Sequence, residues 1–263
     1  MPTPTAGPRR RRDLVHGLPI HSRYSIDRAP AGRETVVLVH GLVISSAFLE
    51  PAVRELAGDH PSYAPDLPGY GWSAKPPRQY DLTRQADYLG AWMDTVGIRQ
   101  AAVVGCSLGT QIISLLAVRR PDLVNRAVLL SPTMDTEARR RLVALARWAR
   151  ELPYEVAMMP IMLRDYARAG IRRAMHSFDM ALADQPEERL PQMSMPTLVV
   201  RGELDPIVPQ RWAETVTRLL PAGELQVVES QPHALNFTAP ALFARIIRDF
   251  LPQEHRRQAA ANR

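Results

Sequence analysis

Three observations predict an α/β fold with a mostly parallel sheet, helices on both faces and a helical insertion. Short valine-rich apolar runs alternate with stretches of helical periodicity over residues 35–130, and again over 197–250. Between these blocks, residues 132–191 read as helix after helix with no strand-like run. One apolar run, Ala101 to Val104, leads straight into Gly105-Cys106-Ser107-Leu108-Gly109 and then into an apolar helical stretch, Thr110 to Val118. A glycine-flanked serine between a strand and a helix is the context of a nucleophile elbow, where tight turning leaves no room for side chains two residues away.

Composition bounds the reading. With 263 residues, 46% hydrophobic and 23% charged, the chain has material for one large α/β domain or two small ones. Cys106 is the only cysteine, so neither an intrachain disulfide nor a cysteine-rich metal site is available, which fits a reducing compartment. The net charge is +6 and the pI about 10.0, with Lys75 the only lysine. The arginines are interspersed with acids except at Arg9-Arg10-Arg11-Arg12, which argues against nucleic acid as partner. No apolar segment follows that run, as an export signal would need. No stretch reaches the ~20 apolar residues of a membrane span. The expectation is a cytoplasmic protein with no stable membrane insertion and an oligomeric state the sequence leaves open.

Taken in order, residues 1–12 are expected to be a disordered basic tail. Leu14 to Ser25 carries strand-like pieces around a Gly17-Leu18-Pro19 turn, an antiparallel start to the sheet. Arg28 to Arg33 reads as a Pro/Gly loop. Thr35 to Val39 is apolar throughout, as suits a strand buried on both faces, and ends at His40-Gly41. Ser46 to Leu56 can form a helix. Ser62 to Pro65 is a short strand before the turn-rich loop Asp66–Ser73, which is read as structural. Leu82, Ala86, Leu89, Met93 and Val96 share one helix face. Strands follow at Ala101–Val104 and Arg126–Leu130.

Within the insertion, helices are expected over Thr136–Leu152, Tyr154–Gly170 and Ile171–Ala183. Leu142, Leu145, Ala149 and Leu152 recur at helical spacing with arginines elsewhere on the wheel. Alternation resumes with a strand at Pro196–Arg201, a helix at Arg211–Leu220, a strand at Leu225–Val228 and a last helix at Pro240–Phe250. The organisation is therefore a core of residues 13–131 and 194–253, a helical lid over 132–193, and a flexible tail over 254–263.

The chemistry follows from Ser107. A serine hydroxyl is a weak nucleophile until a base takes its proton, and the base is usually a histidine oriented by a carboxylate. Asp205 lies in the loop after Leu198-Val199-Val200, and His233 in the loop after the last strand. In open parallel sheets such loops gather at one edge. Glu203 and Asp135 remain alternatives for the carboxylate, and His16, His21, His40, His60, His176 and His255 for the base, though none of these follows a late strand. Two backbone N–H groups should hold a developing oxyanion; Leu108, after the nucleophile, and Leu42, after the Thr35–Val39 strand, are the candidates. His40 reads as a holder of that loop. Cys106, one position off the apex, is a remote alternative nucleophile.

With these residues in view, the chain resembles the α/β-hydrolase superfamily from about Leu14 to Leu251. The resemblance rests on Val39-His40-Gly41-Leu42, on Asp66-Leu67-Pro68-Gly69-Tyr70-Gly71-Trp72-Ser73 and on Gly105-Cys106-Ser107-Leu108-Gly109. It also rests on Gly202-Glu203-Leu204-Asp205-Pro206 and on Pro232-His233. It implies a mostly parallel eight-stranded sheet, a Ser107–Asp205–His233 triad, an oxyanion hole and a cap after the sixth strand. Two departures stand out: Thr110 where a further glycine is common, and Cys106 at the elbow's second position. Serine at 107 argues against the members that use an aspartate nucleophile.

The expected function is hydrolysis of a small, largely hydrophobic carboxylic ester or thioester through an acyl-enzyme. Two alternatives stay open. One is a C–C bond hydrolase of a diketone acid, which should need an arginine anchor in its pocket. The other is a slow-hydrolysing ligand-binding protein on the same fold. The methionine-rich lid, together with Val43, Cys106, Trp148, Met159 and Val208, is the expected pocket, and ordinary packing of lid helices is the competing reading. Lid arginines such as Arg139, Arg140, Arg147 and Arg150 read as a solvated face. No metal-ligand cluster or phosphate-binding glycine loop is present in the sequence, so no metal and no cofactor are expected.

Overall fold

The computed structural model describes residues 7–25 and 32–252. Most of the Pro/Gly loop expected at 28–33 and all of the tail expected from 254 lie outside the described residues.

An antiparallel hairpin opens the sheet: β1 (Arg9–Val15) pairs with β2 (Leu18–Ser25). His16 at φ 49 and Gly17 at φ 78 form its two-residue turn, the left-handed pair that matches strand twist. Here the expected tail is corrected. Arg9 to Arg12 are part of β1, in register with Tyr24 to His21 of β2. A sheet edge needs only backbone pairing on one side, and exposed arginines discourage a further strand from adding there, so a charged run suits the place.

Next come β3 (Val36–Val39), α1 (Ser46–Leu56), β4 (Ser62–Pro65), α2 (Leu82–Thr95), β5 (Ala101–Cys106), α3 (Leu108–Arg119) and β6 (Val124–Leu130). After the insertion follow β7 (Thr197–Gly202), α7 (Gln210–Leu219), β8 (Gly223–Val228), α8 (Leu235–Thr238) and α9 (Pro240–Phe250). The eight strands lie in the order β1-β2-β4-β3-β5-β6-β7-β8, antiparallel through β4 and parallel from β4 to β8. This is the mostly parallel sheet the sequence predicts.

Alternate residues of the central strands feed two cores. Val37 and Val39 pack with Trp92, Ile113 and Leu116 under α2 and α3, while Val36 and Leu38 pack with Leu49, Val53, Phe243 and Ile247 under α1 and α9. A strand covered on both faces has no polar side, so β3 and β5 are apolar throughout. The side chains of Ser45 and Asp81 start α1 and α2 by accepting the backbone N–H groups of Ala47 and Arg84.

The sheet also sets the address of the site. β4 lies on one side of β3 and β5 on the other, so the winding direction reverses at the β3–β5 junction. Val39 is in register with Gly105, and Cys106 with Leu130. The loops that leave these strand ends share one crevice.

Between β6 and β7 the chain forms α4 (Arg141–Glu151), α5 (Met159–Ala169) and α6 (Ile171–Ala183), with single helical turns at 152–154, 156–158, 186–188 and 190–192. The expected helix over 136–152 is shorter, because Asp135 captures the Ala138 N–H at 2.6 Å in a turn. The expected helix over 154–170 begins only at Met159, with Pro160 in its first turn, where a missing N–H costs nothing. The face of α4 is also corrected: Leu142 is 81% and Leu145 48% exposed, whereas Ala144 and Glu151 are the buried residues. Among the described residues no helix is long and apolar enough to cross a membrane.

Candidate active site

Ser107 joins β5 to α3 at φ 54, ψ −119, a backbone conformation that non-glycine residues rarely adopt. The two glycines make it achievable. A Cβ on Gly105 would lie 2.6 Å from the Gly109 carbonyl carbon, and one on Gly109 would lie 2.4 Å from the Val39 oxygen. The turn is held by the Ser107 N–H donating to the Leu130 carbonyl at 3.0 Å and by the Thr110 hydroxyl donating to the Ser107 carbonyl at 2.6 Å. Thr110, a departure from the family pattern, thus closes the turn with its own side chain.

Asp205 and His233 meet from neighbouring loops. The His233 Nδ1 donates to Asp205 Oδ2 at 2.8 Å, while Asp205 Oδ1 accepts the N–H groups of Ile207 (2.8 Å) and Val208 (3.0 Å). Gly202 lets the loops touch: a Cβ there would sit 2.3 Å from the carbonyl oxygens of both Gln231 and Pro232. Arg201 ties the Asp205 loop from below, donating to the Val208 carbonyl at 2.6 Å and the Asp205 carbonyl at 3.1 Å. The His233 backbone is fixed twice more: its carbonyl accepts from Ser131 Oγ at 3.1 Å, and its N–H donates to Glu151 Oε1 at 3.1 Å.

Burial would lower the His233 pKa, yet the adjacent Asp205 carboxylate, with Glu151 and Glu155 beyond it, pushes it up to about 9. Asp205 is held below the usual carboxylate range: burial opposes this, but the imidazole and the Val208 N–H outweigh it.

Ser107 and His233 line one cavity of about 320 Å³, together with Gly41, Leu42, Cys106 and Leu108. The Ser107 hydroxyl has no hydrogen-bond partner among the described residues. Leu42 and Leu108 are where the sequence places them, at the loop after β3 and at the first position of α3, whose N–H points out of the helix without an intrahelical partner. A Cβ on Gly41 would approach Ser107 Cβ to 3.2 Å, so the β3 loop lies directly against the elbow.

The remaining wall is mostly apolar, with Phe48, Met134, Leu145, Trp148, Met158, Met162, Met175 and Phe178 beside the polar Thr133, Arg147, Glu155, Tyr166 and Asn236. Of the five pocket residues read from the sequence, Cys106 and Trp148 are in the lining, and Val43, Met159 and Val208 are not. Val43 sits at φ 59 in the turn after β3, leaving Leu42 and Ile44 on the cavity. Met159 opens α5, and Met158 and Met162, one turn apart, face the cavity instead. Val208 is buried and contributes through its backbone, to Asp205 and Arg201. Leu145, Trp148 and Met175 are both cavity-lining and exposed, so they form its lip.

The alternatives are accounted for elsewhere. Glu203 accepts the Ser230 N–H at 2.9 Å, and Asp135 holds Arg147 at 2.6 Å. His21 is bonded to Asp66, and His60 to the Glu34 carbonyl. His16 lies in the β1–β2 turn with its ring edge-on to Tyr88, and His176 is on α6 outside the lining. His255 lies outside the described residues. His40 accepts the Leu67 N–H at Nε2, so Nδ1 carries the proton donated to the Gly41 carbonyl; burial lowers its pKa, in keeping with a neutral ring that braces the loop. Burial pushes the Cys106 thiol well above its ordinary value, which argues against a thiolate there.

The comparisons with known proteins agree with this architecture. Residues 34–158 match a family described as alpha/beta hydrolase fold, and residues 176–258 one described as TAP-like protein. The chain belongs to the α/β-hydrolase superfamily. A 2-(acetamidomethylene)succinate hydrolase of Mesorhizobium japonicum is 26% identical over 242 residues, 82% of this chain and 87% of the relative. A pimeloyl-[acyl-carrier protein] methyl ester esterase of Vibrio vulnificus is 25% identical over 82% of this chain and 93% of its own. Among solved structures, a membrane phospholipase A described as a bacterial virulence factor superposes with a TM-score of 0.78 at 21% identity, covering 93% of this chain and 86% of that one.

In this α/β hydrolase, sequence reasoning missed two residues at the site. Glu151, at the end of α4, is fully buried, with Oε1 on the His233 N–H and Oε2 unpartnered among the described residues. Burial, only partly offset by His233, lifts its pKa to about 7. Glu155 is 5% exposed, lines the cavity and is raised by burial as well. The sequence signal was Glu-Leu-Pro-Tyr-Glu at the end of an arginine-rich helix, which is indistinguishable from ordinary surface charge.

Proposed function

We propose that this protein is a serine hydrolase of small, largely hydrophobic carboxylic esters or thioesters, working through an acyl-enzyme. One observation carries the reading. A serine held at φ 54 between β5 and α3 opens onto the same cavity as a histidine bonded at 2.8 Å to a buried aspartate. Ser107 Oγ attacks the carbonyl carbon as His233 Nε2 takes its proton. The Leu42 and Leu108 N–H groups receive the oxyanion, each such donor lowering the barrier by about 3 kcal/mol. His233 returns the proton to the leaving group, then activates water to release the acid. Asp205 holds the tautomer with Nε2 free and stabilises the imidazolium. Residues 132–193 act as the lid, and its aromatic and methionine side chains size the acyl pocket. The superfamily and a relative named as a methyl ester esterase support this class of reaction. The lone, buried Cys106 supports a reducing, cytoplasmic setting.

A C–C hydrolase of an anionic diketone acid is not favoured. Its anchor would be Arg147, which lines the cavity but is already bound to Asp135 at 2.6 Å.

The test is hydrolysis of p-nitrophenyl esters across acyl lengths, wild type beside Ser107→Ala. Turnover should fall by at least about 10⁴-fold in the variant. Undiminished turnover would remove Ser107 from the chemistry. A folded wild type that neither turns over esters nor takes a fluorophosphonate label would instead indicate a ligand-binding protein.

A further inference from the structure

Among the described residues, the buried unpartnered atoms on lining side chains are Glu155 Oε2 and Asn236 Oδ1, both acceptors. Each is more than nine-tenths buried, and Asn236 Nδ2 is committed to the Phe48 carbonyl at 3.2 Å. The lining's cations are paired: Arg147 donates to Asp135, to the Ile207 carbonyl and to Glu137, and His233, with its pKa pushed up to about 9, is bonded to Asp205. Glu155 has no cationic side chain bonded to it, and a second carboxyl, Glu151, lies buried behind the His233 loop. A ligand that completes this site brings hydrogen-bond donors and positive charge to an otherwise apolar chamber.

We propose that Glu155 is a cation subsite, and that the cavity accepts acyl substrates carrying a protonated amine, whose nitrogen pairs with Glu155. The word acyl rests on the serine-hydrolase reading; the amine recognition does not. An ammonium offers three donors, so it can satisfy the Glu155 carboxylate with donors to spare. Trp148, Tyr166 and Phe178 line the same cavity, and aromatic rings are surroundings a desolvated cation favours. A carboxylate-bearing substrate would meet two unpaired acceptors, while Arg147 and His233 are already paired with Asp135 and Asp205. The lining thus selects by charge, while Ser107 and His233 act on the carbonyl.

The experiment compares three ligands of equal length by calorimetry at pH 8: hexylammonium, hexan-1-ol and hexanoate, with wild type and Glu155→Gln. The expected result is hexylammonium binding at least about tenfold tighter than hexanol, hexanoate weakest, and the ammonium advantage lost in Glu155→Gln. Equal affinities, tightest binding of hexanoate, or an advantage that survives Glu155→Gln would overturn the proposal. If Glu155→Gln does not fold, kcat/KM of wild type for p-nitrophenyl 6-aminohexanoate against p-nitrophenyl hexanoate decides: a ratio above about ten supports it, and a ratio of one or less overturns it. Ammonium-selective binding without turnover of either ester would leave the subsite standing and remove the hydrolase reading.

Discussion

At the scale of single residues, the site concentrates negative charge around one imidazole. Asp205, Glu151 and Glu155 all raise the His233 pKa, toward about 9. A general base must be neutral to accept a proton, so raising its pKa moves the working limb of the rate profile upward in pH. We expect kcat/KM for a neutral p-nitrophenyl ester to climb as pH rises from 6 toward about 9. Glu151→Gln removes one of the lifting charges and should shift that limb to lower pH. A limb that stays in place in the variant would show that Glu151 does not set the protonation of the base. The cost of the site appears in the same residues: two carboxylates with unpartnered oxygens, one of them fully buried, are retained beside the chemistry.

At the scale of elements, α4 behaves unlike a core helix. Its leucines face water, and its burial comes from Ala144 and Glu151. Leu142→Gln should therefore change stability by less than about 0.5 kcal/mol, whereas Leu49→Ala in α1, where the side chain is fully buried, should cost about 2–5 kcal/mol. Urea midpoints of the two variants check the pair; a large loss for Leu142→Gln would put the apolar face of α4 inward after all. This contrast marks how far the sequence could be read. β3 and β5 were legible because a strand buried on both faces reads as an unbroken apolar run, β6 and β7 because such runs fill 127–130 and 198–200, and the elbow because its glycines are sterically required. The meeting of Asp205 with His233 was expected from their loops after late strands and from the chain order of the resembled family, with Glu203 and Asp135 left open until the structure paired Asp205 with the imidazole. In the insertion, periodicity gave helices but not their ends, which Asp135 and the prolines decide, nor their facing, because a helix at a cavity mouth shows apolar residues to solvent. The Arg9–Arg12 part of β1 was missed for the opposite reason: an edge strand of arginines has no apolar pattern to read.

At the scale of the whole molecule, Asp66 is the junction between the hairpin, α1 and the loop after β4. It accepts from His21 Nδ1 at 2.8 Å, the Ser46 N–H at 2.6 Å and the Trp72 N–H at 2.8 Å. Burial alone would raise its pKa, but these partners, His21 foremost, bring it down to about 2. A depressed carboxylate contributes stability that is complete above its unfolded pKa near 4 and lost as pH falls through about 2. The contribution is about 2 kcal/mol at neutral pH, so Asp66→Asn should be destabilised there and should lose less on acidification than wild type. Denaturation curves at pH 7 and pH 3 read both effects; identical acid sensitivity would assign the lability to other carboxylates. The insertion is fastened to this body by polar side chains: Ser45 donates to Asp165 at 2.6 Å, Tyr70 and Ser177 share a hydrogen bond at 2.5 Å, and Arg189 donates to Ser114 at 2.7 Å.

Gly202 decides how closely the Asp205 and His233 loops approach. Two carbonyl oxygens of the His233 loop stand 2.3 Å from where its side chain would begin. Any other residue there must push the loops apart, and the first thing lost is the reach between Asp205 and His233. The sheet and both cores lie beneath that junction and can survive the change. A substitution at Gly202 is thus expected to part Asp205 from His233 while the cavity and its acceptors persist, turning the proposed hydrolase into a protein that binds without proton transfer.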